Sequence, residues 1–593
     1  MKSFWKTVFA TVIGICIFFA VLYLIFIVAI IGSITKNSKK ELAIKENSVL
    51  VLNFNDKIPD YQPYDFNVKG NFFVPEVNDI GLVDILNAIE RAKEDENIKG
   101  ILIETMLGGG GYGTALEIRE ALEDFKNTTD KFVISYSDNL SQSGYYITSV
   151  SDKVFMNPEG MFEFKGLYTP IMFYKHFLDK LDINVNVFRP EGNKFKSAVE
   201  PLILDKMSEA NKEQLSKYLT SLWGNILNSI SDSRGISVDS LNYYADNLSI
   251  VTTYDALEYN FIDGVIYYDS LTSYINSLMN VDLDKDLNKV TVSKYKKANA
   301  KVKKSGSDKI AVIYAEGEIV YGKGKESVIS NERLIKEIVK ARKDDKVKAV
   351  VFRVNSPGGS ALASDLILRE IELTKKVKPV IASYGNYAAS GGYYISCLSD
   401  KIVCNPNCLT GSIGVFGVLP NISGLLNNKL GITTDKVKTN ANSEMLTMVE
   451  DLSPASIDYM NKNVNNTYQT FIGYVARGRN KTLEYVDSIG QGRVWLGTDA
   501  ISLGLVDEIG GLKDAIDLAA TTAGLSTYDI VSYPEKKDAM TFITELFKNN
   551  NSNVYSRRMA KELGALYPYY EFLKSLEEQS KIQARLPYII EIN

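Results

Sequence analysis

Two stretches of this chain repeat each other at a distance of 248 residues, "SQSGYYITSVSDKVFMNPEG" (141–160) and "AASGGYYISCLSDKIVCNPNC" (388–408). The tyrosine pairs Tyr145/Tyr146 and Tyr393/Tyr394, the Ser-Asp-Lys triplets at Ser151 and Ser399, and the Asn-Pro pairs at Asn157 and Asn405 keep that spacing. Upstream, "IKGILIETMLGGGGYGTALEIREAL" from Ile98 answers "VKAVVFRVNSPGGSALASDLILREIEL" from Val347, and downstream "NFIDGV" answers "LGLVDEIGG". So many features at a nearly constant offset make an internal duplication. The chain must therefore fold as two related units. In each, short β-branched runs ("GILIE", "KFVISYS"; "AVVFRV", "KPVIASY") precede turns, most of them glycine-bearing, and amphipathic stretches. That alternation predicts α/β units on parallel strands with packed helices.

The expected boundaries follow: an N-terminal membrane anchor over 1–36, a first repeat over 47–281, a lysine-rich linker or exposed arm over 282–307, a second repeat over 308–526, and a helix-forming tail over 527–593. The anchor is expected because residues 7–35 carry no charge and are mostly Ile, Val, Phe, Leu or Ala. A helix of that length crosses the roughly 30 Å of a bilayer core. The run is too long for a secretory signal, and no small-x-small cleavage site stands out. Lys2 and Lys6 precede it, and Lys36, Lys39, Lys40 and Lys45 follow it. A literal positive-inside count would put the large part in the cytoplasm, but the margin sets no orientation. A net charge of −5 speaks against nucleic acid as a partner. Cys16, Cys397, Cys404 and Cys408 match no zinc spacing; the last three read as buried thiols, with a disulfide among them left open.

The copies differ where chemistry would sit. Aligned on the tyrosine pair, Gln142 stands in the first copy where Ser390 stands in the second, and "MLGGGG" faces "NSPGGS". In "NSPGGS", Pro357 fixes φ, Gly358 and Gly359 permit a backbone that turns its N–H groups outward, and Ser360 can cap the next helix. Exposed N–H groups suit an oxyanion, and Gly391-Gly392 opens another helix beside Ser390. Without a catalytic partner, both are ordinary strand-to-helix turns.

That partner is hardly histidine. The chain has one, His176, in "FYKHFLDKL", which reads as an ordinary helical histidine. "AASGG" also lacks the first glycine of the nucleophile elbow. The base is left to a carboxylate or a desolvated lysine. Ser293–Lys296 has S-x-x-K spacing but falls in the charged linker. "GNKFKSAVEP" (192–201) is better placed and offers Lys194 or Lys196, while the second copy's "KTNANSEMLTM" has no lysine at the corresponding core. Each copy lacks what the other keeps, as a single composite site would leave behind.

Taken together, "VNSPGGSALAS", "YAASGGYYIS", "LTGSIGVFG", "GRVWLGTDAISLGLVDEIGG" and "GNKFKSAVEP" closely resemble the long, double-repeat form of the signal peptide peptidase A (protease IV) family, within the Clp/crotonase superfamily. The resemblance covers roughly residues 1–525. It implies an α/β fold of two tandem crotonase/Clp-protease-like repeats behind a transmembrane helix. It implies Ser390 as nucleophile, Lys196 rather than Lys194 as general base, the N–H groups of Gly358 (or Gly359) and Gly391 as oxyanion donors, and Ser412 of "TGSIGV" as a holder of the lysine amine. No metal or other cofactor is expected. The implied activity is a membrane-anchored serine endopeptidase that degrades cleaved signal peptides and other apolar extended peptides. The implied assembly is a homotetrameric bowl on the lipid bilayer of the cytoplasmic (inner) membrane, catalytic part on the extracytoplasmic side. Two alternatives are a catalytically silent membrane scaffold or chaperone and a crotonase-type acyl-CoA enzyme. Whether lysine and serine meet within one chain is not readable from sequence.

Overall fold

The computed structural model describes residues 43–54, 58–64, 80–104, 111–298, 308–325, 327–537 and 582–586, with Thr541 and scattered positions between 4 and 21. The first repeat carries β1 (Ser48–Asn53), β2 (Ile98–Glu104), β3 (Phe132–Leu140), β4 (Lys153–Phe162), β5 (Asn184–Phe188), β6 (Gly264–Val265) and β7 (Asn288–Thr291). All but β5 form one parallel sheet, ordered β6-β4-β3-β2-β1-β7. The second repeat carries β8 (Lys309–Glu316), β9 (Ile319–Val320), β10 (Ile329–Ser330), β11 (Val347–Ser356), β12 (Gly358–Ser360), β13 (Val380–Ala389), β14 (Lys401–Cys404), β15 (Leu409–Gly411), β16 (Phe416–Asn421), β17 (Val494–Leu496), β18 (Glu508–Ile509) and β19 (Asp529–Tyr533). Its main sheet runs β18-β14-β13-β11-β8-β19, again parallel, with β15 and β17 added beside the end of β13. The strand order is the same in both copies.

The apolar runs become strands buried on both faces: Ile101, Leu102 and Ile103 are fully buried, as are Val350, Val351 and Phe352. Helices Leu82–Glu94 and Tyr112–Thr128 flank β2, and Asn331–Lys343 and Ala361–Lys375 flank β11 in the same positions. Ser360 caps the last of these, its Oγ accepting the Ala363 N–H at 3.3 Å. The repeated sequence features are fold devices. Tyr145 donates to the Phe261 carbonyl at 2.8 Å, and Tyr393 to that of Leu505 at 2.7 Å. Asp152 accepts the Val133 N–H, and Asp400 accepts that of Val380, both at 2.8 Å.

Each sheet also takes one strand beyond the boundary expected from internal similarity. β7 falls in the expected linker 282–307 and pairs with β1; β19 falls in the expected tail 527–593 and pairs with β8. "NKVTV" and "DIVSY" alternate as edge strands do, and this outweighs the lysines around the first of them. Helix Val292–Lys297 follows β7, burying Val292 and Tyr295, and Lys296 pairs with Asp84 at 3.1 Å. The helix-forming part of the tail lies outside the described residues, but its end returns as β20 (Ile582–Arg585). Most of the expected anchor also lies outside them; no helix among the described residues is long and apolar enough to cross a membrane. Cys397, Cys404 and Cys408 are buried free thiols.

A third sheet joins the repeats. Its order is β10-β9-β12-β20-β16-β5, so a first-repeat strand completes a second-repeat sheet through the antiparallel β5/β16 pair. The chain leaving β5 is thereby carried to the end of β13.

Candidate active site

Ser390 follows β13 directly and caps the short helix Gly391–Tyr394. Its backbone is at φ 55 and ψ −114, a conformation that a residue with a Cβ rarely adopts. The surroundings hold it there: the Ser390 N–H donates to the Gly411 carbonyl, and its carbonyl accepts the Tyr394 N–H, both at 2.8 Å. The hydroxyl is thereby turned away from the helix and toward the chain that follows β5.

Lys196 comes from that chain. It sits immediately before the helical turn Ser197–Val199, and both it and Ser390 are fully buried. Its Nζ lies 2.8 Å from Ser390 Oγ, 3.0 Å from Ser412 Oγ and 3.3 Å from the Ser412 carbonyl oxygen. Burial alone drives the Lys196 pKa well below its ordinary value, because charging an amine in a dry site is costly. A neutral amine has two N–H donors and one lone pair. Two contacts to Ser412 and one from the Ser390 hydroxyl use all three. Lys194, the other lysine of the motif, is exposed, its Nζ 5.3 Å from the centre of the Phe195 ring. The serine and lysine of one chain meet, which answers what the sequence left open.

Ser412 is itself at φ 49 and is held by its N–H donating to the Arg493 carbonyl at 2.7 Å. Gly492 covers the lysine stem: a Cβ there would fall 2.5 Å from Lys196 Cβ. Gly492 and Arg493 open the motif "GRVWLGTDAISLGLVDEIGG", but nothing local marks their role.

On the other side of Ser390 lie Gly358 and Gly391. A Cβ on Gly358, at φ 99, would sit 2.7 Å from the Gly391 nitrogen, and one on Gly391 would sit 3.1 Å from Gly358 Cα. Neither tolerates a side chain, and the Ala584 carbonyl oxygen of β20 packs against both. The Gly358 N–H donates to Ser356 Oγ at 3.2 Å; Ser356 was not singled out from sequence. In the first repeat, Gln142 fills the equivalent position, and its Oε1 accepts the N–H groups of Lys165 and Gly166 at 3.0 and 2.9 Å. That copy is a closed turn.

The lone histidine is remote in character: the His176 side chain is 74% exposed and 3.8 Å from Asp179. Among the described residues no cluster of His, Cys, Asp or Glu could hold a metal.

A family model, Peptidase family S49, matches residues 126–282 and 372–526, once in each repeat. The chain is 35% identical to "Protease 4" of Salmonella typhi over 473 residues, covering 78% of this chain and 75% of the relative. It is 31% identical to "Protease 4" of Haemophilus influenzae over 595 residues, covering 96% and 93%. Among solved structures, a point mutant of ClpP1 from Listeria monocytogenes aligns over 35% of this chain and 94% of its own, with 16% identity and a TM-score of 0.24.

Proposed function

The chain belongs to peptidase family S49, and from that premise we propose that it is a Ser/Lys-dyad endopeptidase, anchored in the cytoplasmic membrane, that degrades signal peptides and other extended apolar segments outside the cytoplasm. One observation carries the reading: a fully buried lysine, with no carboxylate among the described residues to hold its charge, 2.8 Å from the hydroxyl of a strained serine. The two repeats are read as crotonase/Clp-type units.

In this mechanism neutral Lys196 takes the proton of Ser390 as Oγ attacks the peptide carbonyl. The oxyanion is met by the N–H groups of Gly391 and Gly358, the latter exchanging Ser356 Oγ for the new charge. Each such donor contributes roughly 3 kcal/mol in comparable sites. The lysinium, oriented by Ser412, protonates the leaving amine, and a water activated by the same lysine hydrolyses the ester. No metal or cofactor enters the scheme. The apolar run at 7–35 would keep the enzyme where signal peptides are released.

A homotetramer is part of the reading. The counterpart of the lysine-bearing arm in the second repeat, roughly 432–450, stands largely exposed, with Ile432 and Val437 open to solvent. In the first repeat the same stretch is covered by the other copy, so a second chain suits this one.

The reading is tested by labelling the detergent-solubilised chain, ended at Ser580 so that β20 is absent, with a peptidyl phosphonate. The expected adduct lies on the peptide containing Ser390, and its absence sinks the proposal. Gly358→Ala is expected to lower kcat by about 100-fold, since the new Cβ must push aside the backbone at Gly391 and with it the oxyanion donors; an unchanged kcat would count against this assignment. The pH profile gives a further check. Activity falls as pH drops through the depressed pKa of Lys196, because the charged amine cannot accept a proton. His176→Gln is expected to leave that acid limb in place; a displaced limb would mean histidine is the base.

A further inference from the structure

β20 lies across the proposed site. Three of its four residues pair antiparallel with β12 on one side, Gly358 opposite Arg585, Gly359 opposite Ala584 and Ser360 opposite Gln583. On the other side two of them pair antiparallel with β16, Phe416 opposite Gln583 and Gly417 opposite Ile582. The register continues past the strand, where the Leu586 N–H donates to the Pro357 carbonyl at 2.8 Å. Without this segment, β12 and β16 would be two facing strand edges with a slot between them. An extended peptide fills such a slot by main-chain pairing, alternate side chains choosing pockets.

The position within the slot is specific. The Ala584 carbonyl oxygen packs against the two glycines assigned to the oxyanion. It would lie 2.3 Å from a Cβ on Gly358 and 3.0 Å from one on Gly391. The Ala584 side chain is fully buried in the second-repeat core, Leu586 is buried in the core of the first, and Arg585 points outward to Glu318 at 3.0 Å. Arg585 and Leu586 also line an open cavity of about 1840 Å³ between the repeats, which Ser390 and Lys196 do not line. The strand therefore stands between that cavity and the dyad, and with it in place neither Ser390 nor Lys196 has any exposure.

We propose that the chain's own C-terminal strand, residues 582–586, occupies the peptide-binding slot as a substrate mimic and masks the enzyme until it is displaced. This rests on the functional reading above for the identity of the slot, but it is tested without catalysis. The probe is a fluorescein-labelled peptide of residues 581–588 (KIQARLPY), titrated by anisotropy onto Ser390→Ala chains. The native tail should compete, so the Ser390→Ala chain should bind the peptide at least ten-fold more weakly than the Ser390→Ala/Ala584→Arg chain. Arginine at 584 cannot enter the space now filled by a methyl group, and so releases the tail. A Ser390→Ala chain ending at Ser580 should match the double variant without any bulky replacement. Equal affinity for all three chains, or binding to none of them, overturns the proposal. Failure of phosphonate labelling on a chain ending at Ser580, where nothing masks Ser390, would by contrast remove the peptidase reading while leaving this binding result standing.

Discussion

Lys196→Met is expected to lower kcat on an apolar peptide substrate by about four orders of magnitude or more, and Ser390→Ala to do the same. Combined, the two should cost little beyond either alone, because nucleophile and base act as one unit. Methionine is the informative replacement, since it fills nearly the lysine's volume and leaves Gly492 its packing partner. Lys194→Ala should stay within about two-fold of wild type, its side chain being exposed. A fluorogenic peptide assay reads all four variants; a double variant far below both singles would mean two independent contributions instead of a dyad. The same substitution has a signature in stability. Burial depresses the Lys196 pKa in the folded chain, whereas the unfolded chain holds that proton up to about 10.4. Between those values the unfolded state binds more protons, so wild-type stability rises with pH. Lys196→Met removes this dependence. It should melt above wild type at pH 7, and the difference should narrow toward pH 10.

The residues shared by the two copies are scaffold, and the chemistry sits where they differ. Tyr145 and Tyr393, or Asp152 and Asp400, repeat because each copy needs the same hydrogen bond to close the same strand-helix connection. Gln142 and Ser390 differ, and only the second faces an amine. Parallel α/β architecture was legible because hydrophobic periodicity and glycine turns are local signals. The choice of Lys196 over Lys194 came from family motif matching; alternation alone left both open, since burial at the end of a strand is a tertiary property. β7 and β19 were hidden by composition, short alternating stretches set among lysines or past the end of the similarity. β20 was harder still. Four residues without a periodic pattern become a strand only because β12 and β16 offer their edges from far away in the chain. Arg353 did carry a readable signal: a lone charge inside the apolar run "AVVFRV" must find partners when the strand is buried.

Those partners make Arg353 the site of the largest expected stability effect. Its Nε and Nη2 bond the two Asp60 oxygens, each at 3.0 Å, Nη2 also meets Glu117 Oε1 at 2.6 Å, and Nη1 donates to Ser383 Oγ at 3.0 Å. Asp60 belongs to the segment after β1, Glu117 to helix Tyr112–Thr128, and Arg353 to β11, the strand that leads into Gly358. All three are buried, so the cluster ties the first repeat to the strand that leads into Gly358. Burial pushes the Glu117 carboxyl up, and the guanidinium opposes it. Arg353→Met leaves two desolvated carboxylates facing each other, at a cost of about 3–5 kcal/mol. The urea midpoint should fall accordingly. The loss should be larger at pH 8 than at pH 5, because burial, no longer opposed by the guanidinium, would keep a proton on Glu117 in the folded state that the unfolded state releases. Adding Asp60→Asn and Glu117→Gln to Arg353→Met should recover most of the stability, since neutral amides need no counter-charge. If Arg353→Met alone unfolds at the wild-type midpoint at pH 8, the cluster does not hold the repeats together, and the β5/β16 pairing, the Asn386 bonds to the Gly113 and Thr114 N–H groups and the shared apolar core must do so instead.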